Sequence, residues 1–301
     1  MDRLTLAVVS RNYFNLPAWI GVHAGLFAAE GLDVQIEHIE GIEEVNEWVR
    51  DGRAQLAYGV TEHVILDAET GGRQVIIGGN VNKLPFSFIA RPGIRSMADL
   101  RGKRVGVSSL RAGSSSLVMK LLAAHGLHYP ADYEIIPCGP ILARWELLRS
   151  GGIDAGLQGA PLNYIALDQG FSSLGEPREQ IPHFQFTSLD VDRDWAGANR
   201  DRLLRFLRAF IRAHEWFYAN REGSNRIAMI ESGIEERYAD RAWQEYTAAE
   251  IFPRDAEASG PGVQALIETS ALIRELPARA ETHAEDYIDR GWLAAARESM
   301  R

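Results

Sequence analysis

Cysteine is nearly absent: Cys138 is the only one among 301 residues. An intramolecular disulfide is therefore impossible, and a multi-cysteine metal site cannot form. Lysine is scarce as well. Lys83, Lys103 and Lys120 are the whole complement, so arginine supplies nearly all the positive charge. Against 32 Lys and Arg stand 41 Asp and Glu, a net charge of −9. That balance argues against a nucleic-acid partner, because phosphate binding needs a cationic surplus. Long hydrophobic runs are missing too. No stretch of about 18 uncharged apolar residues occurs, so no membrane insertion is expected. An anionic ligand would have to be held by local donors rather than by the field of the whole chain.

Familiar catalytic signatures are also missing. The chain has no Gly-x-Ser-x-Gly elbow, no phosphate-binding P-loop, no Gly-x-Gly-x-x-Gly after a strand and no His-Glu-x-x-His. Its eight histidines are scattered, apart from His125 and His128. That pair suits a helix C-terminus and its dipole better than zinc. No cofactor and no metal are assigned.

What is present is 46% hydrophobic residues, enough for one large core or two smaller ones sharing a cleft. Leu4 to Val9 reads as a short buried strand, and Pro17 opens a helix in which Ile20, Ala24 and Phe27 share a face. Leu32 to Glu37 alternates as a half-buried strand. Glu43 to Asp51 reads as a helix, Gln55 to Val60 as a strand, Glu62 to Glu69 as a helix and Val75 to Gly79 as a strand. This β-α-β alternation predicts a parallel, doubly wound sheet. A second set follows through Arg104–Val107, the helix opening at Gly113, Tyr133–Pro137 and Ala155–Gly159. From Asn199 the pattern is helical, with Leu203, Leu204, Leu207, Phe210 and Ile211 on one face. Further helices are expected at Ala242 to Ile251 and Gly262 to Leu276, packed on the first lobe.

Three segments carry a resemblance. Pro17-Ala18-Trp19-Ile20-Gly21-Val22-His23-Ala24-Gly25-Leu26-Phe27 with Glu30-Gly31-Leu32-Asp33-Val34 is one. Ser96 through Val107, with Asp99-Leu100-Arg101-Gly102-Lys103 at its centre, is the second. Arg149-Ser150-Gly151-Gly152-Ile153-Asp154-Ala155 is the third. In this order they resemble the solute-binding family for alkanesulfonates, nitrate and taurine, whose fold the fungal thiamine-pyrimidine synthase shares. The resemblance implies a type II periplasmic-binding-protein fold: two doubly wound α/β lobes, joined by two crossing strands, with a helical C-terminal region. Lobe one would comprise residues 1–87 and 187–301, and lobe two residues 88–186. The crossing strands would be Phe86 to Arg91 and His183 to Ser188, with ligand held between the lobes.

Candidate binding residues lie where strands end and helices begin. Arg11, Asn12, Tyr13 and Phe14 follow the first strand; the arginine could pair with a carboxylate or sulfonate and the rings could stack on an apolar body. Ser108, Arg111, Ser114 and Ser115 surround the start of a helix, where free N–H groups and the dipole favour an anion. Thr61 is expected as an N-cap, beside Glu62 and His63, which could move a proton. Gly159, Pro161 and Tyr164 end a strand of the second lobe, Gly41 occupies the corresponding loop of the first, and Lys83 precedes a crossing strand. Each has a structural alternative: a solvated loop, an ordinary cap, or a buried ring.

The leading functional expectation is a receptor for a small organic anion (sulfonate, carboxylate or heteroaromatic) as the solute-binding component of an ABC-type uptake system. Its partner would be an ABC permease. The alternative is a cytoplasmic enzyme on the same fold, either a cofactor-independent decarboxylase or lyase, or one related to thiamine precursors. Residues 1–9 lack the features of a secretory leader. As written the chain is expected in the cytoplasm, and in the periplasm if a leader has been removed.

Overall fold

Short buried strands separated by helices are suited to parallel pairing, because each helix supplies the crossover that parallel strands need. In the computed structural model they assemble into two five-stranded sheets. The structure describes residues 1–272 and 283–301. Its ten strands, among the described residues, are β1 (Asp2–Val9), β2 (Leu32–Ile39), β3 (Leu56–Val60), β4 (Gln74–Val81), β5 (Phe86–Ala90), β6 (Arg104–Val107), β7 (Glu134–Pro137), β8 (Ala155–Gly159), β9 (Ser172–Ser173) and β10 (Thr187–Asp192). The first sheet runs β2-β1-β3-β10-β4 and the second β7-β6-β8-β5-β9.

Helices α1 (Leu16–His23), α2 (Leu26–Ala29), α3 (Glu44–Arg50) and α4 (Thr61–Glu69) serve the first sheet. The second has α5 (Gly113–Ala123), α6 (Ile141–Ser150), α7 (Leu162–Asp168) and α8 (Pro177–Gln180). Every residue of β3, β4, β5 and β8 is buried, as expected of strands covered on both faces.

Each sheet contains one strand that runs antiparallel to its neighbours. Residues 82–85 lead from β4 into β5, which pairs antiparallel with β8. Residues 181–186 lead back into β10, which pairs antiparallel with both β3 and β4. These two segments are the crossings, each lying just ahead of the strand it feeds.

The segments Ser96–Val107 and Arg149–Ala155 staple the second sheet. Ser96 and Asp99 form a capping box. Asp154 accepts from Arg104 Nη2 at 3.0 Å and from the Arg104 backbone N–H at 2.9 Å, tying β6 to the turn before β8. Gly151, at φ 85°, ends α6 in the left-handed region where a side chain would be strained.

The tail is α9 (Arg193–Ala198), α10 (Arg200–Ala219), α11 (Arg221–Ser232), α12 (Glu236–Ala248), α13 (Gly260–Ser270) and α14 (Gly291–Glu298). Leu203, Phe206, Leu207, Phe210 and Ile211 of α10 bury one stripe against Leu6, Tyr58, Val75, Ile77 and Leu189 of the first sheet. Each such side chain contributes about 1.5–3 kcal/mol. The expectation that the whole tail packs on lobe one needs correction. Tyr164 of α7 donates to Glu245 of α12, Arg178 Nη1 reaches Glu245 at 2.5 Å, and Tyr238 of α12 donates to Asp168 at 2.8 Å. Helix α13 likewise packs against α5. The tail therefore bridges both halves. The helix expected to reach Leu276 ends at Ser270, and the part beyond residue 272 lies outside the described residues.

Candidate functional site

The C-terminal ends of β1, β3 and β4 face those of β6 and β8 across a cleft, the crevice that open α/β sheets present to ligands. Here lies a cavity of about 500 Å³, including space open to solvent. From the first half come Ser10, Asn12, Phe14, Tyr58, Asn80 and Thr187; from the second come Phe86, Ser108, Ile141 and Arg144. Phe186, on a crossing segment, completes the aromatic wall with Phe14 and Phe86; the three rings meet edge to face at 4.9–5.9 Å.

Arg144 is the only formally charged group lining this cavity among the described residues. It sits on the inner face of α6 with Ile141, Trp145 and Leu148, and is 2% exposed. Its Nε donates to Leu157 O at 2.8 Å and its Nη1 to Ser108 Oγ at 3.0 Å. Among the described residues no carboxylate pairs with it. Burial pulls its pKa down to about 10, which still leaves it cationic at neutral pH. A buried cation without a counter-ion is costly, and an anion in the cavity would offset that cost.

Around this centre the sequence-derived candidates separate. Asn12, Phe14 and Ser108 line the cavity. Asn12 also caps the turn after β1, accepting from the Phe14 N–H at 2.9 Å. Arg11, Tyr13 and Pro161, again with Asn12, line a second, outer cavity of about 870 Å³ that shares Ile141 with the first. Arg11 is not free for a ligand; its guanidinium binds the Glu231 carboxylate and backbone carbonyl of α11.

The remaining candidates line neither cavity. Thr61 does not cap α4, whose N-cap is Val60; it is fully buried and donates to Ser188 Oγ at 3.1 Å. Ser114 turns inward to accept from the Ser108 N–H at 2.9 Å, and Ser115 is fully buried. The start of α5 faces protein rather than cleft: a side chain on Gly113 would meet Leu266 at 3.3 Å and Phe184 at 3.4 Å. Arg111 is exposed on the preceding loop. Lys83 points away from the cleft and donates to Ala249 O at 2.9 Å. Tyr164 is committed to Glu245. Gly41 abuts Glu44, and Gly159 packs against Ile141, Pro85 and Phe86.

Glu62 and His63 are buried behind the cavity wall. Burial pulls the His63 pKa down to about 4, so the ring is neutral at neutral pH. Nearby Asp190 accepts from Ser188 Oγ at 2.6 Å, and burial pushes its pKa well above the usual carboxylate range. Among the described residues no group of three or more His, Cys, Asp or Glu is placed to hold a metal.

Residues 15–224 match the family model described as NMT1/THI5 like. The chain belongs to that family. The 4-amino-5-hydroxymethyl-2-methylpyrimidine phosphate synthase of Uromyces fabae is 22% identical over 228 residues, 70% of this chain. The match spans 65% of that relative's own length. The alkanesulfonate-binding protein of Xanthomonas axonopodis pv. citri, solved with MOPS, superposes with a TM-score of 0.79 at 17% identity, over 96% of this chain and 98% of that one. The periplasmic nitrate-binding protein of Synechocystis gives 0.80 at 13% identity, over 100% and 89%. At these identities the structures show a shared periplasmic-binding-protein fold. Within this NMT1/THI5-like chain the matched stretch holds Tyr58, Asn80, Ser108, Arg144, Phe186 and Thr187, while Ser10, Asn12 and Phe14 precede it.

Among the described residues no lysine lines the cavity, so it offers no amine to hold a carbonyl cofactor.

Proposed function

We propose that this chain binds a small organic anion between its two lobes, as the solute-binding component of an ABC-type uptake system. The observation that carries the reading is Arg144: a buried guanidinium, without an acidic partner, on the wall of an apolar and aromatic cavity. Its fork-shaped donor set matches a carboxylate or a sulfonate, and Ser108 Oγ lies beside it. The phenylalanine wall suits a ligand with an apolar or aromatic body. Structural neighbours named for alkanesulfonate and nitrate binding support the anionic class. An ABC permease would be the partner that reads lobe closure.

The synthase relative favours an enzyme as the second reading. The cleft speaks against it. Its lining includes no carboxylate, histidine, cysteine or lysine among the described residues, and so no group suited to general acid–base work near pH 7.

Calorimetric titration with short alkanesulfonates and benzoates tests the reading. Wild-type protein is expected to bind members of one class and return them unchanged. Arg144→Leu should weaken binding about 10- to 100-fold, the size expected when a charge-assisted hydrogen bond is lost. Equal binding by Arg144→Leu would overturn the assignment, and consumption of a bound compound would favour the enzyme.

A further inference from the structure

The first-sheet side of the cavity is not neutral toward its ligand. Asn80, on β4, is fully buried and lines it. Its Nδ2 donates to Phe14 O and to Thr187 Oγ1, both at 3.1 Å. The carbonyl partner fixes which end of the amide is oxygen, since Phe14 O can only accept. Oδ1 is then left without a partner among the described residues. Tyr58, on β3, is 1% exposed and lines the same cavity, and its hydroxyl likewise finds no partner among the described residues.

Buried polar groups are almost always satisfied. Two orphans on one wall, across from an unpaired cation on α6, are a complementary set. We propose that Asn80 and Tyr58 select ligands bearing an N–H or O–H donor in addition to the anionic group. This rests on Arg144 as the anion anchor. The amide oxygen can only accept, so it demands a donor, and the Tyr58 hydroxyl can accept a second proton or donate back. Between the two poles the rings of Phe14, Phe86 and Phe186 fit a flat body. The class indicated is an aromatic or heteroaromatic acid carrying an amino or hydroxyl group.

An anionic ligand without the donor would leave Asn80 Oδ1 dehydrated and unbonded, and sites built this way reject such analogues strongly. A bridging water is the competing occupant, and a methyl group in the donor's place would displace it without replacing its bond.

The test is calorimetric titration of the full chain with 3- and 4-aminobenzoate, 3- and 4-hydroxybenzoate and the matching methylbenzoates, with ethanesulfonate and butanesulfonate as donor-free anions. Wild-type protein is expected to bind at least one amino or hydroxy acid tenfold or more tightly than its methyl counterpart. In Asn80→Leu that ratio should fall to within about threefold. Tyr58→Phe removes one hydroxyl, keeps the ring, and should narrow the ratio by several-fold even if the Asn80 variant fails to fold. Equal binding of donor and methyl acids would overturn the proposal and leave the anion reading standing. So would binding of the sulfonates alone. A preference that survives both variants would overturn the assignment to these side chains. Failure of every anion to bind would overturn the anion reading together with this one.

Discussion

Burial keeps His63 and His214 neutral and raises the pKa of Asp190, so the sign of the pH dependence differs between them. Both histidines have their pKa lowered to about 4 by burial. Their stabilising contribution is present above the ordinary value near 6.5 and is lost as pH falls through about 4. Each is worth about 3 kcal/mol across that window. Urea unfolding of wild-type protein should therefore lose several kcal/mol between pH 6.5 and 4, and His63→Gln combined with His214→Gln should flatten the profile. An unchanged slope in the double variant would refute the account. Asp190 runs the other way. Its pKa is raised, so its contribution is complete below 3.8 and declines as pH rises through the folded value. Asp190→Asn should be more stable than wild type at pH 8, with the margin shrinking toward pH 4. At this scale the sequence was only partly legible. Arg144 shares the buried stripe of α6 with Ile141, Trp145 and Leu148. An arginine on an apolar stripe is a signal readable from periodicity alone. It was masked by the conspicuous serines, whose hydroxyls serve internal bonds instead. Asn80 could not have been singled out, because its meaning depends on Phe14 and Thr187, 66 and 107 residues away.

Among the elements, strands and their helices follow from pattern: β3, buried at every position, and α10, with its single apolar stripe, are both legible in the sequence. The direction taken by α12 was not. A polar, amphipathic helix says that it covers something, not what it covers, and Glu245 meets Arg178 from 67 residues away. Helix α12 packs on α11, which binds the loop after β1 through Glu231, while its own Glu245 and Tyr238 grip the second half. The element thus works as a clasp between halves. Glu245→Gln removes the charge shared by Tyr164 and Arg178, and ligand dissociation followed by stopped flow should quicken roughly tenfold, since each bond to the charged group is worth about 1.5–3 kcal/mol. Dissociation at the wild-type rate would show that the clasp plays no part in retention.

For the whole molecule, a net charge of −9 surrounds a cationic pocket. Long-range repulsion should slow the approach of an anion, and salt screens that repulsion. Raising sodium chloride from 0.02 to 0.3 M, with the Debye length shrinking from roughly 20 to 6 Å, should therefore speed association while the buried contact to Arg144 changes little. An association rate that falls with salt would place the anion on an exposed cationic surface instead. The lone guanidinium has a last consequence. If the lobes open and shut as proposed, an empty shut molecule would hold Arg144 buried against neutral acceptors only, Leu157 O and Ser108 Oγ, whereas a loaded one would gain a counter-charge. On the proposed receptor reading, emptiness would then be penalised in the shut shape alone, and a receiver that senses shape would be shielded from false reports by one side chain.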